Sequence, residues 1–175
     1  MDTISPEKRS WTMSRIRSKN TKPELLVRRY LYANGFRYRV NVATLPGKPD
    51  IVLKKYHTVI FIHGCFWHGH DCLKGKTPQT NPLFWQNKFK RNKERDLEVR
   101  NQLKDLGWNT LVIWECQLKP KTRQKTLEEI SYWLNEAYLD TFRTKRPEYS
   151  ISEEGSTMLV AEKNTIYSSS SDTDE

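Results

Sequence analysis

The sequence predicts one α/β domain in which helices flank a mixed β-sheet. Short β-rich runs alternate with longer stretches whose apolar residues recur at the helical period. Capping residues and glycines mark the expected ends of these stretches. The predicted order is two helices, three strands, one helix, one strand and a final helix. This alternation is typical of a domain with helices packed on a sheet.

Length and charge narrow the possible functions. The 175 residues suit one domain with a full core, and the formal net charge is +9. Residues 147–175 carry seven acidic residues and one lysine, so the preceding residues carry about +15. This excess favours a polyanionic partner such as nucleic acid, with a solvated basic surface as the alternative.

The same composition bears on the cellular compartment. No apolar run approaches the 18 residues of a membrane span, and the N-terminus lacks the apolar segment of a secretory signal. Three cysteines are an odd number, which fits a reduced compartment better than a set of disulfides. We therefore expect a cytoplasmic protein without membrane contact.

Two helices are predicted at the N-terminus. Residues 5–17 begin with the N-cap candidate Ser5, and residues 21–34 begin with Thr21 and Glu24 at the spacing of a capping box. Glu24 is thus either only a capping partner or a residue with a further role. In the first helix, the apolar side chains Trp11 and Met13 have two interpretations. They belong to the core, or to a basic arm that reaches a ligand.

Four β-rich runs are predicted as strands: Phe36–Val40, Asp50–Lys54, His57–Ile62 and Trp108–Trp114. If the second and third form a tight hairpin, the numbers of paired residues sum to about 111 or 112. Asp50 then lies opposite Phe61 or Ile62, and His63 lies at the adjoining strand end. This register collects a carboxylate, a main-chain carbonyl and an imidazole at one end of the sheet.

Two further helices are predicted at 82–106 and 122–139, and the first of them ends before Gly107. Apolar side chains recur along one side of the helix at 82–106: Phe84, Phe89, Leu97, Leu103 and Leu106. Residues 147–175 end in SSSSDTDE and contain few strong hydrophobes, so this tail is predicted to be mostly disordered.

A metal site is predicted from the cysteines and one histidine. The pattern C-x4-H-x-C is followed by one remote cysteine, and the four side chains are Cys65, His70, Cys72 and Cys116. Thiolates and imidazole are the ligands that Zn²⁺ prefers in tetrahedral sites. Four protein ligands leave no open position, so the ion is expected to be structural. Three buried free thiols are the alternative.

The remaining polar groups near the sheet end suit phosphodiester hydrolysis. Asp50 and a main-chain carbonyl are oxygen ligands of the kind that Mg²⁺ takes. With His70 assigned to zinc, His63 and His68 remain, and His68 is a candidate to accept a proton from an attacking water. A basic surface would hold the nucleic acid.

Five ordered motifs carry a resemblance to a known family over roughly residues 5–140. They are NTxPE at Asn20–Glu24, PD at Pro49–Asp50, FxHGCFWH at Phe61–His68, ERD at Glu94–Asp96 and WEC at Trp114–Cys116. Together they resemble the very short patch repair (Vsr) DNA mismatch endonucleases. The resemblance implies the restriction-endonuclease-like PD-(D/E)xK fold. The usual E-x-K triplet reads Phe61-Ile62-His63 here, so His63 occupies the lysine position and the acidic position is empty.

The resemblance also implies roles for individual residues. Asp50 and the main-chain carbonyl of Ile62 resemble the Mg²⁺ ligands, and His68 resembles the residue that activates water. Glu24 is similar to the glutamate that the family holds through water near the metal, which adds to its capping role. The supporting active-site residues are expected to be His63 and Asp96. The structural zinc ligands of the family match Cys65, His70, Cys72 and Cys116.

A DNA-contacting set follows from the same resemblance. Phe66, Trp67 and Trp85 resemble an aromatic wedge that inserts beside the mismatched pair, where a flat apolar group replaces a stacking partner. Core packing is the alternative for adjacent aromatic residues. The residues that resemble the remaining DNA contacts are Lys88 and Asn92, which face the mispaired bases, and Met13, which reaches the opposite groove.

The implied function is Mg²⁺-dependent nicking of one DNA strand 5′ of the thymine in a T:G pair left by deamination of 5-methylcytosine. The resemblance also implies a monomeric enzyme in the bacterial cytoplasm, associated with the nucleoid. It implies a functional link to a cytosine-5 DNA methyltransferase. The expected organisation is a DNA-contacting arm at 1–20, an endonuclease domain at 21–146 and the tail at 147–175. The alternatives are a restriction-type enzyme that cuts both strands, or a zinc-stabilised DNA-binding protein that cuts neither.

Overall fold

A mixed sheet of three strands lies at the centre of the fold in the computed structural model, which describes residues 5–15, 19–79 and 81–143. The strands are β1 (Ile51–Leu53), β2 (Thr58–His63) and β3 (Asn109–Trp114). The helices are α1 (Pro6–Ser14), α2 (Lys22–Ala33), α3 (Pro82–Asp105) and α4 (Arg123–Arg143), with 3-10 turns at Lys54–Tyr56 and Glu115–Leu118. The α/β prediction is confirmed, whereas the predicted tail lies outside the described residues.

The register of the sheet explains why its polar residues gather at one edge. β1 pairs antiparallel with β2, and Ile51 lies opposite Ile60, which gives the predicted sum of 111. β2 pairs in parallel with β3, so that His63 lies opposite Trp114. Parallel neighbours need a long crossover, and α3 supplies it. The start of β1 and the ends of β2 and β3 therefore share one edge.

Both faces of the sheet are covered by helices, as the alternation of side chains along a strand requires. One face packs Ile51, Leu53, Ile60 and Ile113 against buried side chains of α2 and α4. The other face packs Val52 and Val59 against Leu103 of α3. Burial of one such aliphatic side chain stabilises the fold by about 1.5–3 kcal/mol. The sheet is thus a rigid platform for the residues at its edge.

The predicted strand Phe36–Val40 is wrong. In its place the structure has an extended segment with a single bridge, between Arg39 and Val52 of β1. The chain then turns at Asn41, whose φ of 47° is left-handed and incompatible with a continuing strand. An alternating sequence forms a strand only where a neighbouring strand is available for pairing. The available neighbour, β1, is only three residues long.

The apolar side predicted for α3 is only partly buried. Phe89 and Leu103 belong to the core, whereas Phe84, Leu97 and Leu106 are exposed. The helix has 24 residues, and the short sheet covers only part of its length. The apolar period therefore predicted the helix correctly. It did not predict which of the apolar side chains on this side contact the core.

The N-terminal helices begin as predicted. The hydroxyl of Ser5 accepts a hydrogen bond from the main-chain N–H of Lys8 at 3.3 Å. Trp11 is 57% exposed and Met13 is 45% exposed, so their interpretation as core residues is wrong. The guanidinium of Arg15 lies 4.1 Å from the ring centroid of Trp11. Both apolar side chains remain available on an exposed helix.

No helix in the part of the chain that the structure describes has the length and apolarity of a membrane span.

Candidate active site and metal site

Asp50 lies immediately before β1 and is fixed to the end of β2. Its Oδ2 accepts a hydrogen bond from the main-chain N–H of Ile62 at 2.7 Å. The hairpin register predicts this neighbourhood, since Asp50 continues the ladder opposite Phe61. The carboxylate is thereby oriented by the backbone of the adjacent strand. The structure brings together the two residues that the sequence suggests for a hard cation.

The electrostatic surroundings of Asp50 favour a cation. Burial is the largest influence on its carboxyl group and raises the pKa. The Ile62 N–H opposes this effect, the nearby carboxylate of Glu24 raises the pKa further, and the cation Arg28 lowers it. A partly buried carboxylate with a second carboxylate nearby is a place where a divalent ion relieves the repulsion. The described donors therefore fit such an ion.

Glu24 both caps α2 and contributes to the active-site region. Its main-chain N–H donates to the hydroxyl of Thr21 at 3.5 Å, and that hydroxyl donates to Oε1 of Glu24 at 2.8 Å. Its Oε2 accepts from the N–H of Asn20 at 3.0 Å and from Arg28 at 2.8 Å. The residue is 4% exposed, which a capping glutamate on a helix surface does not require. Capping alone does not account for this burial.

Two histidines and one aspartate form a compact group beside Asp50. Nδ1 of His68 lies 2.5 Å from Oδ2 of Asp96 on α3. The rings of His63 and His68 stack with their centroids 3.7 Å apart and their planes inclined by 10°. Burial, and then the neighbouring His68, lower the pKa of His63 to about 4, so this ring is neutral near pH 7. Asp96 therefore orients one imidazole while His63 supports its face.

These groups line a cleft of about 1290 Å³. Glu24, Asp50, His63, His68 and Asp96 all contribute to its wall. The lining also includes the cationic residues Lys19, Lys22, Lys48, Arg95 and Arg100. A cleft with acidic and imidazole groups inside and several cations around them suits a polyanion whose phosphate must reach the acidic groups.

The predicted metal ligands converge at the same edge of the sheet. The ligand atoms of Cys65, His70, Cys72 and Cys116 all lie within 4.8 Å of one another. Cys65 follows β2 and Cys116 follows β3, so the parallel pairing of these strands brings the remote cysteine to the loop. The Sγ of Cys116 lies 3.6 Å from Nδ1 of His70. This separation is about the edge of a tetrahedron around one ion.

The thiols of this cluster are poised differently. Hydrogen bonding to His70 lowers the pKa of Cys72 to about 6, whereas burial raises the pKa of Cys65 to about 12. Metal ligands must be thiolates, and a bound cation stabilises them. Three sulfur atoms and one imidazole nitrogen are a donor set for a soft or borderline metal ion rather than for Mg²⁺.

Several residues that stabilise the loop with Cys65, His70 and Cys72 were not predicted from the sequence. The ring of His70 stacks on Trp114 with centroids 4.1 Å apart, and Lys74 donates to Glu115 at 2.7 Å. A Cβ on Gly75 would lie 1.8 Å from the main-chain oxygen of His70, so only glycine fits. The WEC and CLKG segments gave the one signal in the sequence, because each contains a predicted ligand close to these residues.

The aromatic residues predicted to form a wedge lie together. The ring centroid of Phe66 is 5.0 Å from both Trp67 and Trp85. All three are partly exposed, so they neither form a closed core nor extend freely into solvent. Phe89 of the core lies beneath Phe66, with the ring centroids 5.6 Å apart. The cluster thus has a buried base and an accessible upper part.

Lys88 and Asn92 adjoin this aromatic cluster. The Nζ of Lys88 lies 5.3 Å from the ring centroid of Trp67 and 5.2 Å from that of Trp85. The side-chain amide of Asn92 donates to the main-chain oxygen of Trp67 at 2.7 Å. A smaller pocket of about 380 Å³ includes both residues. Met13, by contrast, does not line either pocket, so its predicted contact is not part of this assembly.

Sequence comparison with known proteins identifies the family of this chain. A family model described as DNA mismatch endonuclease Vsr matches residues 1–74. The chain is 52% identical over 120 residues to the type II nicking enzyme V.NmeAIP of Neisseria meningitidis, covering 69% of this chain and 86% of that enzyme. It is 44% identical over 117 residues to the type II nicking enzyme V.XorIIP of Xanthomonas oryzae, covering 67% and 86%.

A third relative carries the family's own name. The DNA mismatch endonuclease Vsr of Escherichia coli K12 is 40% identical over 129 residues, which cover 72% of this chain and 83% of that enzyme. These sequence identities extend over most of each relative's length. The side chains that converge at the sheet edge are consistent with the same family. The chain is an endodeoxyribonuclease and belongs to the Vsr family of DNA mismatch endonucleases.

Proposed function

We propose that this enzyme nicks one strand of duplex DNA 5′ of the thymine in a T:G mismatch that arises from deamination of 5-methylcytosine. The observation that carries the proposal is the placement of Asp50, His68 and Asp96 in one cleft beside the aromatic residues Phe66 and Trp67. The first group suits hydrolysis of a phosphodiester, and the second suits opening of a weakened base pair. The two tasks are therefore served at neighbouring positions.

Asp50 and the main-chain carbonyl of Ile62 are the proposed protein ligands of a catalytic Mg²⁺. When bound, Mg²⁺ would polarise the phosphate and favour ionisation of the attacking water. The hydrogen bond between Ile62 N–H and Asp50 Oδ2 keeps the carboxylate in place before the substrate arrives. Glu24, held by Thr21 and Arg28, would add negative charge at the same point of the cleft. This arrangement gives the protein part of the site a fixed geometry.

His68 is the proposed proton acceptor. An ionised Asp96 can only accept a hydrogen bond, so Nδ1 of His68 carries the proton between them and Nε2 keeps its lone pair. Nε2 can then take a proton from water. The stacked neutral ring of His63 keeps the imidazole from rotating without adding charge.

Recognition of the mismatch is assigned to the aromatic cluster. A partly exposed ring such as Trp67 can replace a stacking partner while the pair opens, and a mispaired base opens at lower cost than a normal one. Lys88, which lies over the same rings, and Asn92, which holds the Trp67 main chain, would then face the mispaired bases. Met13 on the exposed α1 is proposed to reach the opposite groove.

The Cys65, His70, Cys72 and Cys116 cluster is proposed to hold a structural Zn²⁺. Its four ligands fill a tetrahedral shell, so the ion would hold the loop between β2 and α3. That loop carries Phe66, Trp67 and His68. The zinc would thereby fix the recognition residues and the proton acceptor relative to the sheet.

A nicking enzyme is favoured over an enzyme that cuts both strands. Two relatives are named type II nicking enzymes, and the described chain holds one candidate active site. A monomer with that single site would cut one strand. A bacterial cytoplasm, association with the nucleoid and a functional link to a cytosine-5 DNA methyltransferase complete the proposal, because deaminated 5-methylcytosine requires prior methylation.

The test is a strand-specific nicking assay. Duplexes that differ only in one central pair, T:G, T:A or C:G, are labelled separately on each strand and incubated with enzyme in Mg²⁺ or in EDTA. We expect a single cut on the thymine strand of the T:G duplex, 5′ of the thymine, only in Mg²⁺. Cutting of both strands, equal cutting of the T:A duplex, or full activity in EDTA would contradict the proposal.

A further inference from the structure

Arg28 is a buried cation at the back of the active-site region. It lies on α2 and is 6% exposed. One guanidinium nitrogen donates to Oδ1 of Asn20 at 2.7 Å. The other donates to Oε2 of Glu24 at 2.8 Å and to the main-chain oxygen of Asp50 at 3.3 Å. A single side chain thus connects the start of α2, a buried carboxylate and the backbone of the proposed metal ligand.

Stability alone does not account for a cation in this position. Burial of a guanidinium is unfavourable unless hydrogen bonds and a counterion compensate, and apolar replacements of buried ion pairs are often neutral or stabilising. The Nε of Arg28 is buried and has no hydrogen-bond partner among the described residues. A group held at such a cost is expected to serve a purpose other than packing.

We propose that Arg28 is a positioning residue for the nicking reaction, fixing the backbone of Asp50 and the carboxylate of Glu24 toward one cation. The inference rests on the proposed function, which makes Asp50 a metal ligand. The guanidinium holds Asp50 at its main-chain oxygen, while the Ile62 N–H holds the same residue at its carboxylate. One hydrogen bond holds the main chain of Asp50 and the other holds its side chain, so together they restrict how the residue can turn.

The planar shape of the guanidinium is essential to this role. Its two terminal nitrogens diverge toward Asn20 on one side and toward Glu24 and Asp50 on the other. A lysine ammonium supplies a point charge and cannot reproduce this fork. Displacement of a catalytic group by about 1 Å costs roughly 10²-fold in rate, so loss of the fork should reduce the rate even where Glu24 keeps a counterion.

The experiment compares Arg28→Met and Arg28→Lys with Arg29→Met, the same change at the next, exposed residue of α2. Asp50→Ala serves as the reference for a lost metal ligand. For each protein we would measure the single-turnover nicking rate on a T:G duplex in Mg²⁺ and the affinity for that duplex in EDTA. Mn²⁺ affinity of the enzyme–DNA complex, by electron paramagnetic resonance on a duplex with a non-hydrolysable linkage, is the readout that does not depend on activity.

We expect Arg28→Met to slow nicking by about 10²-fold and to weaken Mn²⁺ binding by about tenfold or more. Its affinity for the duplex in EDTA should stay close to that of Arg29→Met. Arg28→Lys should keep the folded structure and be intermediate in nicking and in Mn²⁺ binding. This pattern separates positioning from folding and from DNA binding.

The inference is overturned if Arg28→Met nicks and binds Mn²⁺ like Arg29→Met, or if its nicking falls only in proportion to its duplex affinity. If Arg28→Met does not fold, Arg28→Lys decides. If Arg28→Lys nicks more slowly while its unfolding midpoint is unchanged, the positioning role is supported. If Arg28→Lys nicks at the same rate as Arg29→Met, the positioning role is refuted. A fully active Asp50→Ala would instead refute the proposed metal site, which is a different failure from an active Arg28→Met beside an inactive Asp50→Ala.

Discussion

Nδ1 of His68 lies 2.5 Å from Oδ2 of Asp96, although the two residues come from a loop and from the middle of α3. In the proposed mechanism this hydrogen bond places the proton of His68 on Nδ1 and leaves Nε2 as the proton acceptor. It also ties the loop with the metal cluster to the helix that lines the cleft. The residues that surround this pair make several outcomes measurable.

Asp96→Asn is expected to slow nicking by about 10²-fold or more, since general acid–base groups contribute roughly 10²–10⁴. The asparagine amide can donate to His68, which favours the wrong ring tautomer, while the side chain keeps its size. Affinity for a T:G duplex should change little. Asp105→Asn, an exposed change near the end of α3, is the control. Equal nicking rates for the two variants would show that Asp96 does not orient His68.

Asp50→Ala is expected to abolish nicking and to leave mismatch binding largely intact. The proposal assigns the carboxylate, which lines the cleft, to the metal, and it assigns DNA binding to the aromatic and basic residues. The measurements are nicking in Mg²⁺ and duplex affinity in EDTA, wild type beside mutant. Near-normal nicking by the mutant would exclude this carboxylate as an essential metal ligand.

Cys116→Ser is expected to release the metal and to loosen the loop that contains Cys65 and Cys72. Cys116 is the remote member of the proposed ligand set, so its loss would open the site that joins the loop to the end of β3. Metal analysis should find one zinc per wild-type chain and much less in the mutant, with faster proteolysis within 65–75. Folded wild-type protein without zinc would refute the zinc assignment.

Gly75→Ala is expected to have a similar effect although glycine is not a ligand. The added Cβ would lie 1.8 Å from the main-chain oxygen of His70, so the loop must move at this proposed ligand. Gly35→Ala is the control, because its φ of 83° is also strained for alanine but nothing lies within 4 Å of the Cβ. Gly35→Ala should cost about 1 kcal/mol and retain the metal. Full zinc content in Gly75→Ala would mean that the loop adapts without moving His70.

Trp67→Ala is expected to reduce discrimination between T:G and matched duplexes more than it reduces general DNA binding. Stacking of one base on an aromatic ring is worth roughly 1–3 kcal/mol, which is about 5- to 150-fold in mismatch affinity. Non-specific affinity arises from contacts of Lys and Arg with phosphates, so its salt dependence should not change. Binding is measured on both duplexes at two salt concentrations.

The control for Trp67→Ala is Tyr132→Ala, which removes an exposed aromatic side chain of α4. It should leave both affinities unchanged. If Trp67→Ala weakens the two duplexes equally, Trp67 is a packing residue of the cluster with Phe66, and its assignment to a wedge is wrong.

The predictable part of this enzyme was the part governed by local pattern. The hairpin register followed from the lengths of two apolar runs, and it gave the neighbourhood of Asp50 and Ile62. The convergence of Cys116 on Cys65 needed only the assumption that their strands are neighbours. Motif spacing and strand pairing together therefore predicted that the Cys/His side chains converge and that Asp50 and Ile62 lie at the same end of the sheet.

The remaining part depends on three-dimensional closeness that no local pattern encodes. Arg28 was missed because an arginine four residues after Glu24 is usually a surface pair, and only the packing of α2 shows that both are buried. Phe36–Val40 has the alternation of a strand but lacks a long enough partner. Trp11 is apolar, yet nothing in its helix indicates whether another element covers it.

The parallel pairing of β2 and β3 has a consequence for the timing of folding. Cys65 and Cys116 are about 50 residues apart in sequence, and their strands cannot meet through a tight turn. The chain must first form the crossover through α3, and closing so long a loop is slow compared with forming a hairpin. On the ribosome, Cys65, His70 and Cys72 emerge well before their fourth partner. For the proposed zinc, completion of the four-ligand shell would therefore be a late step that follows docking of the last strand of the sheet.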